Sequence, residues 1–295
     1  MKDKETAAEK TGAEKKKRKG IRILLAALLV IFGTVFAVSL YMLIDYYRNA
    51  DEEQDIIDDL KEFAASASEE GYDKDPAVRP TLPSGSGGSG AMREDGSNSS
   101  SGDGAPFVSQ YAALYDINPD YVGWLYMEGT LIDYPVMYRP SDPEFYSRRT
   151  IFGADSRGGT PFIGPGADID SDCFYIYGHN MSSGLFFGTL HYYEDEEFVR
   201  EHTTFTFETL TERRTYEVFG VLKTIVRYPG NGFIYYGYGG NLSEDEFDYF
   251  VSNIKKESII DCGVEPEYGE QLIVLTTCSY HTPTGRFVVC GRRIE

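Results

Sequence analysis

The sequence is short of basic residues, cysteine and tryptophan, and each shortage excludes a class of protein. Its 295 residues include 28 Lys or Arg against 47 Asp or Glu, a formal net charge of -19. Since a nucleic-acid binder needs a basic surface to neutralise phosphates, this balance argues against nucleic acid as a partner. Four cysteines in so long a chain are too few for the disulfide framework of a small secreted protein. One Trp stands beside 23 Tyr and 18 Phe, an aromatic content that favours a sheet-rich core.

The uneven distribution of charge along the chain predicts a membrane protein. Residues 1–22 carry nine basic and four acidic side chains, whereas residues 45–106 carry five basic and 15 acidic ones. The stretch between them, residues 23–44, contains no charge. As a helix it would be about 33 Å long, which is enough to cross the hydrocarbon core of a bilayer.

A cleaved signal peptide is the alternative explanation of this run, with Ala37-Val38-Ser39 as its cleavage site. The run is longer than the apolar part of a signal peptide and continues beyond that site, which favours an uncleaved anchor. We therefore predict a single-pass protein of the cell membrane, with a basic tail over 1–22 and a transmembrane helix over 23–44. Because basic residues stay in the cytoplasm, the N-terminus is expected inside and the bulk of the chain outside the cell.

Composition divides the predicted extracellular part into three segments. Residues 45–83 are predicted as an acidic helical stalk, in which Ile56, Ile57, Leu60 and Phe63 form one weak apolar face. Residues 84–106 are predicted as a flexible linker, because 14 of the 21 residues from Ser84 to Gly104 are Gly or Ser. The folded domain is then expected over 107–295, a length that is ample for one independent core.

Strand patterns dominate residues 107–295. Seven runs rich in aromatic or β-branched residues predict strands over Gly123–Met127, Thr130–Tyr138, Phe174–Tyr177, Thr203–Glu208, Thr215–Val226, Gln271–Cys278 and Arg286–Gly291. Two helices are predicted among them, a short one over Phe107–Asp116 and a longer one from Leu242 to about Glu257. The longer helix has Ser243 and Glu246 as a capping box, followed by an apolar stripe of Phe247, Phe250, Val251 and Ile254. Many strands with few helices favour a mainly β barrel or sandwich.

Three residues next to predicted strands carry the chemistry that the sequence offers. His179 follows the strand Phe174–Tyr177 and a Gly, Cys278 ends an apolar strand, and Arg286 opens the last strand eight residues later. A turn with Pro and Gly separates the last two residues, so they can lie side by side on neighbouring strands. A thiol becomes a good nucleophile when a nearby base or cation favours the thiolate, and His179 can fill this role and protonate a leaving amine. The guanidinium of Arg286 can hold a substrate carbonyl or an oxyanion.

Spacing alone leaves a structural alternative for each of these residues. A lone cysteine such as Cys278 is more often part of a core than a nucleophile. A histidine such as His179 is often only a hydrogen-bonded residue at a strand end, and an arginine such as Arg286 is often an exposed charge or an ion-pair partner. His281 lies three residues from Cys278 and is a rival base, although it sits in the turn.

No metal or cofactor is predicted. His191, His202 and His281 lack metal-ligand spacing with the cysteines. Three cysteines remain once a nucleophilic Cys278 is set aside, an odd number that allows at most one disulfide, and all three are predicted free: Cys173, Cys262 and Cys290.

Four ordered segments together resemble one enzyme family. Residues 177–181, Tyr-Gly-His-Asn-Met, 275–278, Leu-Thr-Thr-Cys, and 285–289, Gly-Arg-Phe-Val-Val, resemble the three signature segments of the sortases in the same order. The stretch 118–125, Asn-Pro-Asp-Tyr-Val-Gly-Trp-Leu, followed by 129–136, Gly-Thr-Leu-Ile-Asp-Tyr-Pro-Val, resembles the class B subgroup. The predicted helix from Leu242 lies where class B sortases carry a long helix. The resemblance covers essentially all of 107–295.

The resemblance implies a fold and an activity. Sortases are membrane-anchored cysteine transpeptidases of Gram-positive bacteria, so the expected fold is an eight-stranded β-barrel with an N-terminal helix and a long helix between the His and Cys segments. Cys278 is expected to attack a Thr carbonyl in a C-terminal sorting motif and form a thioester, while His179 protonates the departing amine. Arg286 is expected to position the motif and stabilise the oxyanion. Thr277 is expected to support this site, with a plain strand residue as the alternative.

The implied partners are proteins with C-terminal sorting signals and an amine acceptor from a peptidoglycan precursor or a pilin subunit. Class B enzymes commonly accept signals of the Asn-Pro-x-Thr type, and motif recognition is expected around Arg227–Gly240. Two other functions stay open on the sequence: a membrane-tethered cysteine peptidase that uses water, and a non-catalytic β-barrel that binds the cell wall. The intact His, Cys and Arg segments argue against the second.

Overall fold

Two compact units make up the described part of the chain. The computed structural model describes residues 2–69 and 107–295, so the predicted linker and the end of the predicted stalk lie outside the described residues. One unit ends at Glu52 and the other runs from Glu53 to Glu295. Helix α1, Lys2–Glu69, contributes to both.

Helix α1 contains a candidate membrane span. From Leu24 onward it is long and apolar enough to cross a bilayer, judged by length and composition. Large apolar side chains of this part, among them Leu29, Phe32 and Val35, are exposed. Exposed apolar side chains on a helix of this length suit a lipid surrounding. The side of the membrane that each end faces stays a prediction.

The second unit is built on eight strands that close into a barrel. In chain order the strands are β1 Tyr121–Tyr126, β2 Asp133–Met137, β3 Phe162–Ile163, β4 Cys173–Tyr177, β5 Thr204–Thr209, β6 Arg213–Ile225, β7 Leu272–Cys278 and β8 Gly285–Arg293. Around the barrel they follow the order β1-β2-β3-β4-β7-β8-β6-β5, and β5 pairs with β1. The pairs β2–β3 and β4–β7 are parallel, and the others are antiparallel. The predicted mainly β fold with an eight-stranded barrel is confirmed.

Three short or medium helices decorate the barrel: α2 Leu114–Ile117, α3 Glu196–Glu201 and α4 Glu244–Glu257. The predicted N-terminal helix over Phe107–Asp116 is shorter than expected and begins only at Leu114. The reason is a main-chain bond from Ser109 N–H to Leu210 O, 3.0 Å long, which ties the start of this segment beside the barrel. The residues between form a turn, closed by Ala112 N–H donating to Ser109 O at 3.0 Å.

Helix α4 covers part of the outer face of the barrel. Its N-terminus has the predicted capping box, in which Glu246 Oε2 accepts from Ser243 N–H at 2.9 Å. The predicted stripe of Phe247, Phe250, Val251 and Ile254 is buried. It packs in one cluster with residues of β4, β6, β7 and β8, including Cys173, Val274 and Cys290. Since alternate strand residues point to opposite faces, the intervening residues of these strands line the barrel interior.

The last part of α1 belongs to the same unit as the barrel. Its buried apolar residues are Ile57, Leu60 and Ala64, whereas Phe63, predicted on the apolar face, is 41% exposed. Lys61 of this part forms a salt bridge of 2.5 Å with Asp133 of β2. The observed orientation turns Phe63 outward, so the predicted apolar face is wrong by one position.

Candidate active site

The last residue pair of β7 and β8 places Cys278 directly opposite Arg286. The two strands pair antiparallel from Leu272 and Arg292 to this final pair. Directly opposed residues of an antiparallel pair point to the same face, with Cα atoms about 4.5–5.5 Å apart. The thiol and the guanidinium therefore share one face at one end of the barrel.

Hydrogen bonds bring His179 to the same end. β4 runs parallel to β7, and their last pair is Tyr177 with Thr276. Beyond it, Gly178 N–H donates to Thr276 O at 3.2 Å. On the other side of the histidine, Asn180 Nδ2 donates to Cys278 O at 2.9 Å. Both neighbours of His179 are thus bonded to the segment that ends in the thiol.

Thr277 joins the same two segments through its side chain. It is 4% exposed, and its Oγ1 donates to Gly178 O at 2.6 Å. Because its hydroxyl proton is used in this bond, Thr277 couples the strand of the thiol to the residue before His179.

The main chain fixes the orientation of the His179 ring. Nε2 lies 2.8 Å from the carbonyl oxygen of Ser147. A carbonyl can only accept, so Nε2 carries a proton and Nδ1 is the basic nitrogen of the neutral ring. Burial lowers the pKa of His179 below its ordinary value of 6.5, and the Arg148 charge lowers it too, while the Ser147 bond and the Glu53 charge work in the opposite direction. A lower pKa makes the imidazolium a better acid.

Arg286 lies among tyrosine side chains. One of its nitrogens, Nη1, donates to Gly285 O at 2.9 Å. Burial raises the pKa of Tyr177 to about 12, against the effect of the Arg286 charge. The same charge opposes the rise that burial gives to the pKa of Tyr235. The half-buried guanidinium has five N–H donors, which leaves several for a substrate oxygen.

The thiol of Cys278 is exposed and the other three are not. Burial raises the pKa of Cys173 to about 12 and that of Cys262 to about 11, and it also raises the pKa of Cys290. A raised pKa removes the thiolate that nucleophilic attack requires. All four thiols are free in the structure, and Cys278 is the one that a substrate can reach.

His281 and the metal alternatives add little. His281 is exposed in the turn after β7, where its Nδ1 lies 2.8 Å from Ser279 Oγ, so the main chain does not hold it as it holds His179. Among residues 2–69 and 107–295, no group of three or more His, Cys, Asp or Glu side chains is placed to hold a metal ion.

Sequence reasoning missed two contributors to this site. Asn180 was given no role of its own, whereas its side chain donates to the carbonyl of Cys278 and its own carbonyl accepts from Tyr280 Oη at 2.9 Å. Ser147 contributes through its carbonyl alone. Asn180 stands next to His179 and could have been found from that proximity. The contribution of Ser147 could not, because a main-chain carbonyl has no sequence signal.

The arrangement contains the parts needed for acyl transfer through a covalent intermediate. An exposed thiol, Cys278, lies opposite a cation, Arg286. A fixed imidazole stands on the neighbouring strand end and can move a proton. The guanidinium can stabilise an oxyanion formed at the thiol.

Comparisons with known proteins lead to one family. No protein-family model matches the chain. Over 186 residues the chain is 28% identical to sortase B of Listeria monocytogenes, covering 61% of this chain and 72% of that protein. The crystal structure of sortase B from B. anthracis in complex with AAEK2 is 31% identical with a TM-score of 0.54, covering 63% of this chain and 83% of that one. Sortase B from B. anthracis in complex with AAEK1 is 26% identical with a TM-score of 0.60, covering 84% of this chain and 99% of that one.

Proposed function

The chain belongs to the class B sortases, a family of cysteine transpeptidases, and on that basis we propose that it cleaves a C-terminal sorting motif after Thr and joins the cleaved protein to an amine. The observation that carries this proposal is the pairing of Cys278 with Arg286 beside the fixed ring of His179. An exposed thiol with a cation on one side and an imidazole on the other is suited to acyl transfer.

In the first half of the reaction the Cys278 thiolate attacks the Thr carbonyl carbon. The carbonyl oxygen becomes an oxyanion, which the free donors of Arg286 bind. As the C–N bond breaks, the protonated His179 gives its Nδ1 proton to the departing amine. A thioester between the Thr acyl group and Cys278 remains, and Thr277 keeps the thiol and the imidazole in register.

In the second half a neutral amine attacks the thioester carbonyl. The amine loses one proton to His179 Nδ1, the C–S bond breaks, and the Cys278 thiolate leaves with the imidazolium restored. The products are a new amide and the starting enzyme. The lowered pKa of His179 supports this assignment, since it favours release of the proton in the first half.

Residues 227–240, at the start of the connection from β6 to β7, are the proposed recognition element for the motif. Within it, Arg227 binds Glu257 of α4 at 2.7 Å and the Phe233 carbonyl at 3.0 Å. Tyr235 Oη lies 2.8 Å from Thr276 Oγ1, which places this connection beside the strand of Cys278. A groove of about 470 Å³ is lined by this connection and α4, including Tyr238 and Tyr249.

The proposed location follows from α1. The candidate span and the excess of basic residues before it support a basic tail in the cytoplasm and a catalytic domain outside the cell. There the enzyme would meet substrate proteins with sorting signals, and an acceptor amine from a peptidoglycan precursor or a pilin subunit.

Product analysis tests the proposal. The full chain in detergent is incubated with a library of Asn-Pro-x-Thr peptides and increasing triglycine, and the products are identified by mass spectrometry. We expect a peptide ending in Thr joined to triglycine, in a proportion that rises with the acceptor concentration. Hydrolysis alone at every acceptor concentration would instead favour a peptidase.

Two cysteine variants serve as controls. Cys278→Ala should abolish both cleavage and joining while the barrel stays folded. Cys262→Ala removes a partly buried thiol between α4 and β7, outside the strand ends that carry the site, and should leave the product pattern unchanged. Retention of joining by Cys278→Ala would reject the proposed nucleophile.

A further inference from the structure

Helix α1 contributes a buried carboxylate to the unit that holds the barrel. Glu53 is 8% exposed. Its Oε1 accepts from Ser156 Oγ at 2.6 Å and from Gly158 N–H at 2.8 Å. Its Oε2 is buried and has no hydrogen-bond partner within the described residues. Since burying a carboxylate is costly, the two bonds to Oε1 hold helix and loop together.

These two donors lie in residues 156–160, one limb of a loop that folds back on itself. Ser156 N–H donates to Arg148 O at 2.9 Å, and Thr160 N–H donates to Tyr146 O at 3.0 Å. The side chain of Thr160 also donates to Arg149 O at 2.9 Å. Residues 156–160 are thus bonded on both sides of Ser147, whose carbonyl accepts from His179.

Gly159 brings the limb into direct contact with that carbonyl. Its N–H donates to Ser156 Oγ at 2.9 Å. Its φ of +65° suits glycine, and a Cβ added there would stand 2.6 Å from Ser147 O. The limb that Glu53 holds therefore lies against the oxygen that fixes the His179 ring.

We propose that Glu53 is a positioning residue for His179, acting through residues 156–159 and the Ser147 carbonyl. The carboxylate keeps the limb in place, the limb keeps the carbonyl in place, and the carbonyl keeps the proton on Nε2. The last part of α1 thereby completes the support of the imidazole. The kinetic consequence rests on the proposed function, but the orientation of the ring does not.

The charge of Glu53 acts on the same ring. It raises the pKa of His179, whereas burial and the neighbouring Arg148 charge lower it. Removing the carboxylate charge should therefore lower the pKa further, even where the hydrogen bonds are kept.

Variants of the full chain in detergent micelles test the proposal. Glu53→Ala removes the acceptor, Glu53→Gln keeps an oxygen for both donors without the charge, and Glu62→Ala is the matched control, an exposed carboxylate on the same helix. The ¹⁵N signals of His179 report the proton on Nε2 directly. We expect Glu53→Ala to move them toward a mixture of tautomers, and Glu62→Ala to leave them in place.

Kinetics with the peptide and triglycine give the second measurement. Glu53→Ala should lower kcat about 10- to 100-fold with KM within about twofold, since a small misplacement of a reacting group costs rate and not binding. Glu53→Gln should retain most of the parent's kcat, and His179 should titrate at a lower pH in this variant than in the parent. If Glu53→Ala does not fold, Ser156→Ala removes one of the two donors and serves for the same measurements.

The outcomes separate this proposal from the proposed function. Glu53→Ala signals and kcat that match those of Glu62→Ala would overturn the positioning role. If the parent protein joins no peptide but Glu53→Ala still changes the His179 signals as expected, transpeptidation is rejected and the positioning role stands.

Discussion

Replacing Thr277 by Val removes one hydrogen bond from the site and changes little else. The side chain is 4% exposed, and its Oγ1 donates to Gly178 O at 2.6 Å. Valine has the same branching and nearly the same volume, so no cavity forms. The loss leaves a buried carbonyl without this donor, and we expect the free energy of unfolding to fall by about 1–3 kcal/mol.

Urea unfolding and steady-state kinetics measure the two effects of this change. The midpoint should shift with an unchanged m-value, because the surface exposed on unfolding stays the same. Since Gly178 precedes His179, the imidazole should lose its register with Cys278, and kcat should fall about tenfold.

The matched control is Thr277→Ser, which keeps the hydroxyl and removes only a methyl group. It should retain most of kcat and lose about 1 kcal/mol of stability. A Val variant that is as active and as stable as the parent would refute the view that this bond holds the site together.

Three further predictions concern a titration and two elements of the fold. NMR should show His179 titrating below pH 6.5, because burial lowers its pKa in the folded protein. As the pH falls, the unfolded chain therefore binds this proton before the folded protein does, so the contribution of His179 to stability is complete above about pH 6.5 and declines below it. Urea unfolding at several pH values measures this decline. Ser243→Ala removes the N-cap of α4 and should lower the free energy of unfolding in urea by about 1 kcal/mol. An unchanged free energy of unfolding would contradict a stabilising role of the capping box. Gly123→Ala should lower the melting temperature, because the new Cβ would stand 2.7 Å from Glu208 O, with a cost of about 1–3 kcal/mol. Gly237→Ala, whose Cβ would meet nothing within 4 Å, is its control.

The fold was predictable where local pattern and packing agree. The aromatic and β-branched runs predicted seven strands, and the capping box with its apolar stripe predicted α4. β3 was missed because two residues, Phe162–Ile163, are too short for any periodicity to show. The apolar face of α1 was offset because tertiary packing buries Ala64 and leaves its neighbour Phe63 exposed.

The site was predictable only in its side chains. Strand ends and a turn of the right length drew attention to His179, Cys278 and Arg286, and the family resemblance then favoured a catalytic role over the structural alternative for each. The support of the histidine was not predictable, because Ser147 acts through its carbonyl. Glu53 meets its partner across 103 residues of sequence, so no local pattern reveals it.

The acyl-enzyme tests the central claim most directly. The full chain is mixed with a peptide that it cleaves, without an acceptor amine, and the reaction is quenched in acid. The mass of the intact protein is then measured by mass spectrometry before fragmentation. The account predicts a mass gain equal to the acyl fragment ending in Thr, located on Cys278 and released by hydroxylamine. Peptide turnover with no adduct on Cys278, or turnover that survives Cys278→Ala, would contradict it.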